Sequence, residues 1–97
     1  MPTPTKLSDA DLQIHLDQVA GWTIVDNTLT KKFQFDSFIS AFGWMTSAAL
    51  VAETMGHHPE WTNVYNRVTV NLVTHDAGGI TELDFTLAKR MDTLAGS

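Results

Sequence analysis

The adjacent pair His57-His58, closed by Pro59, and a third histidine at His75 are the residues of this sequence best suited to moving protons. A free imidazole has a pKa of about 6.5, so it can give or take a proton near neutrality. Glu53 stands four residues before His57. A helix that continues that far puts both on one face, where the carboxylate would orient the ring. Pro59 stiffens the turn and keeps His58 out of the helical region. Taken singly, each histidine has a plainer reading. A histidine at a helix C-terminus is favoured by the dipole alone, which covers His57 or His58, and His75 alone would be a solvated loop residue. An adjacent pair, a proline and a third imidazole in the next loop together point to a shared pocket. His15 lies among polar positions of the first helix and reads as a surface residue.

Other chemistries fit less well. Three histidines can ligate zinc and leave a position open for water. Adjacent histidines seldom aim at one metal, however, and no His-Glu-x-x-His pattern is present, so no metal is expected. There is no cysteine, and none of the serines at 8, 37, 40, 47 and 97 sits in a glycine-flanked elbow. Gly78-Gly79 is not a phosphate-binding loop. Trp22 opens a strand and Trp61 follows Pro59-Glu60; either would pack in the core or line a pocket for a flat ring. Trp44 reads as core or interface. Asp84 is first a helix-capping acid and Asp76 a loop acid.

The elements that must position these residues follow from periodicity. Ser8 and Asp11 resemble a capping box, and Leu12, Leu16 and Val19 recur at helical spacing up to Gly21, giving a helix over 8–20. Trp22 to Val25, then Asp26-Asn27, then alternating Leu29, Lys31, Phe33 and Phe35 form a hairpin. Asp36 or Ser37 can cap a long helix over Phe38 to Met55, stopped by Gly56. That helix is apolar on two sides: Phe38, Phe42, Met45, Ala49 and Ala52 on one, Ala41, Trp44, Ala48, Val51 and Met55 on the other. One side can pack on a sheet, and the other needs either the remaining helices or a second chain. Trp61 to Tyr65, a turn at Asn66-Arg67, and alternating Val68, Val70 and Leu72 form a second hairpin. After a loop from Thr74 to Gly79, Thr81 and Asp84 cap a last helix striped by Leu83, Leu87, Met91 and Leu94. The class is α+β, a four-stranded antiparallel sheet with three helices on one face, in the order α-β-β-α-β-β-α.

Composition narrows the partners. A chain of 97 residues predicts one domain over 1–97, and without cysteine its stability must come from an apolar core or from self-association. The net charge of -5, with six Lys plus Arg, argues against direct nucleic-acid binding and against docking on anionic lipid. Met1 to Lys6 reads as loose. No stretch reaches the roughly 20 apolar residues of a membrane span, and no signal-peptide core precedes Asp9, so a cytoplasmic location is expected.

The run from Glu53 through His57-His58-Pro59-Glu60-Trp61-Thr62-Asn63-Val64-Tyr65-Asn66, followed by Val68 and by Thr74-His75, closely resembles the pterin-4a-carbinolamine dehydratases. Gly21-Trp22, Phe35 to Phe42 and Asp84 extend the resemblance over almost the whole chain. Gly56 departs from it, standing where some relatives carry an acid. The resemblance implies loss of water from 4a-hydroxytetrahydropterin without a cofactor. It implies catalytic roles for His57, His58, His75 and Glu53, and a pterin site at Pro59, Trp61, Thr74, Asp76, Asp84 and Trp22. It also implies a homodimer or homotetramer, formed through the helix over 37–55 or a sheet edge. A non-catalytic role as a dimerisation cofactor or scaffold is the alternative it carries.

Overall fold

A computed structural model describes residues 4–96; of the segment read as loose, Met1–Thr3 lie outside the described residues. The elements are α1 (Asp9–Leu16), β1 (Thr23–Val25), β2 (Thr28–Gln34), α2 (Phe38–Met55), β3 (Glu60–Val64), β4 (Arg67–Leu72) and α3 (Glu82–Leu94), with a short 3₁₀ turn at His75–Ala77 before α3. The strands form one antiparallel sheet in the order β1-β2-β4-β3. Two local hairpins thus meet along the central β2–β4 ladder, which runs from Leu29 opposite Leu72 to Gln34 opposite Arg67. The class and element order are those expected from the sequence.

Alternation decides which face is dry. Leu29, Phe33, Val68, Val70 and Leu72 point to the helices and are buried. Their neighbours Thr30, Lys32, Thr69 and Asn71 point away and stay at least partly exposed. Phe85, Leu87, Ala88 and Met91 of α3 close the core from above, with Ala41, Trp44, Ala48 and Ala52 of α2. The small residues on α2 let it approach closely. The Trp44 indole N–H then donates to the Met91 carbonyl at 3.1 Å and ties the two helices together.

The inner face of α2 is therefore the stripe 41-44-48-52. Its other apolar side is not covered by α1 and α3: Phe38, Ile39, Phe42 and Leu50 are all exposed. In the middle of β2, Lys31 points inward. Its ammonium donates to Asp92 at 2.7 Å, and the Trp22 indole donates to the other Asp92 oxygen at 3.0 Å.

Three boundaries differ from the sequence reading. α1 stops at Leu16 instead of reaching Ala20. Gln18 and Val19 turn back with tighter bonds to His15 and Leu16, and this carries Val19 into the core. β3 starts at Glu60 and ends at Val64, one residue earlier than expected. The second hairpin accordingly turns at Tyr65-Asn66, not Asn66-Arg67, because Tyr65 adopts a left-handed φ of 51° that a tyrosine seldom takes.

Candidate functional site

Helix α2 ends in a Schellman motif. Gly56 takes a left-handed φ of 62°, its amide donates to Glu53, and the His57 amide donates back to Ala52. This reversal fixes the direction of His57. The helical spacing that would place Glu53 beside His57 is broken at Gly56, and the two do not pair. The Glu53 carboxylate instead meets His58 Nε2 at 2.7 Å. The expectation that Glu53 orients His57 is corrected accordingly.

His57 swings inward and is nearly buried. Its Nε2 lies 2.5 Å from Oδ1 of Asp84, a residue with no exposed surface at the start of α3. Asp84 holds its place through the capping box. The Thr81 amide donates to Asp84 Oδ2 at 2.9 Å, and the Leu83 amide donates to the Thr81 hydroxyl. The Thr74 hydroxyl also donates to Asp84 Oδ2, at 2.9 Å. One buried carboxylate thus serves both as helix cap and as the partner of a histidine 27 residues away. Among the described residues, no buried side-chain nitrogen or oxygen is left without a partner.

The third imidazole arrives from the other side. β4 ends at Leu72, and a bridge between Thr74 and Gly79 pinches off the loop that carries His75 on its 3₁₀ turn. His75 Nε2 meets the Glu60 carboxylate at 2.6 Å, where Glu60 begins β3. Each of the three histidines therefore uses Nε2 on its own carboxylate: His57 on Asp84, His58 on Glu53, His75 on Glu60. Nδ1 is the nitrogen left to each ring.

These residues surround an open hollow of about 290 Å³, lined by Gly56, His57, His58, Val73, Thr74, His75 and Asp76. A second depression of about 310 Å³ continues past Val73 and His75 toward Asn27 and Gly78. The hollow brings together five of the ten residues singled out from the sequence, namely His57, His58, Thr74, His75 and Asp76. Glu53 stands beside it on His58 and Asp84 beneath it on His57 and Thr74.

Pro59, Trp61 and Trp22 do not line it. The Trp61 ring sits 6.2 Å from that of Trp44, on the helix side of the sheet. Trp22 is buried against Phe33 and bonded to Asp92, eight residues and about 12 Å further along α3 than Asp84. Its side chain is a structural anchor, not a wall of this hollow. The sequence reading missed Glu60 as the partner of His75 and Asp84 as the partner of His57. The Thr81–Asp84 spacing announced the cap, but no local pattern announces that the capping acid also reaches His57.

No group of three or more metal-ligating side chains clusters among the described residues, and no described helix is long and apolar enough to cross a membrane.

The family model for pterin 4 alpha carbinolamine dehydratase matches residues 5–94. A protein of Solibacter usitatus (strain Ellin6076), named as a candidate pterin-4-alpha-carbinolamine dehydratase, is 56% identical over 94% of this chain and 96% of its own. A protein of Rhizobium johnstonii with the same designation is 51% identical over 93% of this chain and 91% of its own. A crystal structure described as a transcriptional coactivator/pterin dehydratase from Brucella melitensis superposes with a TM-score of 0.92 at 45% identity, covering 95% of this chain and all of that one. A pterin dehydratase-like protein identified as a RuBisCO assembly factor in the alpha-carboxysome superposes with a TM-score of 0.65 at 27% identity, over 78% of this chain and 88% of its own.

Proposed function

Because the chain belongs to the pterin 4 alpha carbinolamine dehydratase family, we propose that it dehydrates 4a-hydroxytetrahydropterin by histidine acid-base catalysis in the hollow between α2 and the His75 loop. The observation that carries this reading is the convergence of His57, His58 and His75 on one hollow, each ring held at Nε2 by its own carboxylate. The substrate hydroxyl on C4a leaves poorly unless protonated. As the N5 proton passes to a base, the N5–H electron pair forms the C4a–N5 double bond and the C4a–O bond breaks. The departing oxygen takes a proton and leaves as water, and the quinonoid dihydropterin remains. One acid and one base near neutrality suffice, and such catalysis typically contributes about 10²–10⁴-fold. In this reading His57 and His75 exchange the two protons, His58 positions the ring, and backbone groups near Thr74 and His75, with Asp76 beside them, meet the polar edge of the pterin. The reaction needs no metal or cofactor.

The test is the decay of freshly generated 4a-hydroxytetrahydropterin. Acceleration by the wild type that collapses in His57→Ala and in His75→Ala supports the assignment. Full turnover by both variants would overturn it.

A second reading concerns assembly, and the exposed apolar side of α2 favours it. Phe38, Ile39, Phe42 and Leu50 lie on one helix with no cover among the described residues. In our reading this side joins a second copy of the chain into a homodimer or homotetramer, with the free edges of β1 and β3 as the other available junctions. Light scattering at micromolar concentration should give a multiple of the chain mass, reduced by Phe42→Glu. A monomeric wild type would refute it. A scaffold role on that same surface, without dehydration, is the outcome left if the wild type fails to accelerate the reaction but still assembles.

A further inference from the structure

We propose that Thr74 is a positioning residue whose side-chain hydroxyl decides which nitrogen of His57 faces the substrate.

The hydrogen-bond directions leave little freedom. The Thr74 hydroxyl donates to Asp84 Oδ2 at 2.9 Å, so its one proton is committed. The 2.8 Å contact between the Thr74 and Thr81 hydroxyls must then be filled by the Thr81 proton. Thr81 in turn accepts from the Leu83 amide at 3.2 Å, and its own amide donates to Asp84 Oδ2. With an ionised Asp84 every proton in the chain runs toward the carboxylate, anchored by the Thr81 and Leu83 amides, which can only donate. Two donors on Oδ2 suit an ionised carboxylate, which can only accept at Oδ1 as well, and Asp84 has no exposed surface of its own. Only one bond remains for it to receive, the one to His57, so His57 Nε2 must carry the hydrogen. Nδ1 is then bare and lies on the ring that lines the hollow. A neutral His57 enters the reaction as a base at Nδ1.

Thr74 lies 10 residues from Asp84 in sequence and on a different element. Thr74 borders the hollow while its hydroxyl is bound to Asp84 and Thr81, so its side chain acts through Asp84 and His57 and not on substrate. The consequence for turnover rests on the dehydratase reading; the tautomer does not.

The experiment is ¹⁵N NMR of the His57 ring at a pH where it is neutral, in wild type, Thr74→Val and Thr74→Ser, with dehydration kinetics on the same samples. The wild type is expected to show a protonated Nε2 and a bare Nδ1. Thr74→Val removes the hydroxyl without changing the shape, and should give a mixed tautomer signal. Its kcat should fall about 10- to 100-fold, as for loss of a hydrogen bond to a charged acceptor, with KM within about twofold. Thr74→Ser should restore both readouts. A wild-type ring protonated at Nδ1 overturns the proposal even if the valine variant does not fold, and so does a valine variant with unchanged tautomer and kcat. If the wild type shows no dehydration, the dehydratase reading falls while the NMR comparison still decides the tautomer.

Discussion

Asp84→Asn separates the chemical from the structural task of this carboxylate. The side chains are isosteric, and Oδ2 of Asp84 already accepts two bonds, from the Thr81 amide and the Thr74 hydroxyl. In the variant that position must be the amide oxygen, because only oxygen can accept them. The amide nitrogen is then forced toward His57 Nε2, where it donates. Nε2 becomes an acceptor, the ring proton moves to Nδ1, and the lone pair facing the hollow disappears. The cap survives, with charged bonds exchanged for neutral ones, at a cost of about 1–2 kcal/mol. In a domain of this size that lowers the melting temperature by about 4–8 °C per kcal/mol. The rate should suffer far more. Loss of one correctly presented acid-base group predicts a kcat lower by about 10²–10⁴-fold, with KM little changed. Decay of 4a-hydroxytetrahydropterin in stopped flow, beside thermal unfolding of the same preparation, gives both numbers. A variant that keeps more than half of wild-type turnover would refute the tautomer argument. One that is inactive only because it is unfolded at the assay temperature would leave no support for it.

Other perturbations sort the structure by burial. Glu53→Gln breaks a pair exposed on both sides, so unfolding by urea should show a change below about 1 kcal/mol. Asp92→Ala leaves the Trp22 indole without its acceptor and the Lys31 ammonium, largely shielded from water, with only the Ala20 carbonyl at 3.3 Å, and should cost about 2–4 kcal/mol in the same measurement. Phe85→Ala empties a site that is 1% exposed and should cost about 3–5 kcal/mol. Gly56→Ala meets no neighbour within 4 Å, so only its left-handed φ is at stake. About 1–2 kcal/mol of stability is expected to go, with a measurable loss of turnover because the turn aims His57.

Much of this was written locally. Helix α2 could be bounded at Phe38 and Met55 because Ser37 caps it, Gly56 stops it and no proline intervenes. The Asp26-Asn27 turn was legible because both residues tolerate the left-handed conformation they adopt, at φ 50° and 61°. The Thr81–Asp84 box was legible because capping is a matter of three residues' spacing. The assignment of carboxylates to histidines was not. Helical arithmetic pairs Glu53 with His57 only while the helix lasts, and Gly56 ends it one residue too soon. Glu60 and His75 meet because β3 lies beside β4, a fact of the sheet and not of either segment. Trp22 reads as opening a strand, and it stands one residue before β1. What it touches depends on Asp92, 70 residues away.

The sheet order carries a kinetic consequence. The β1–β2 and β3–β4 hairpins need only short loops to close, and so form early and independently. The β2–β4 ladder that joins them closes a much longer stretch of chain containing all of α2. Loop-closure entropy is lost there before any contact compensates it. His57 and His58 follow α2, His75 follows β4, and Asp84 opens α3, so neither hairpin alone contains the hollow. Binding competence should therefore emerge in one step with the slow long-range pairing during refolding, not gradually with strand content.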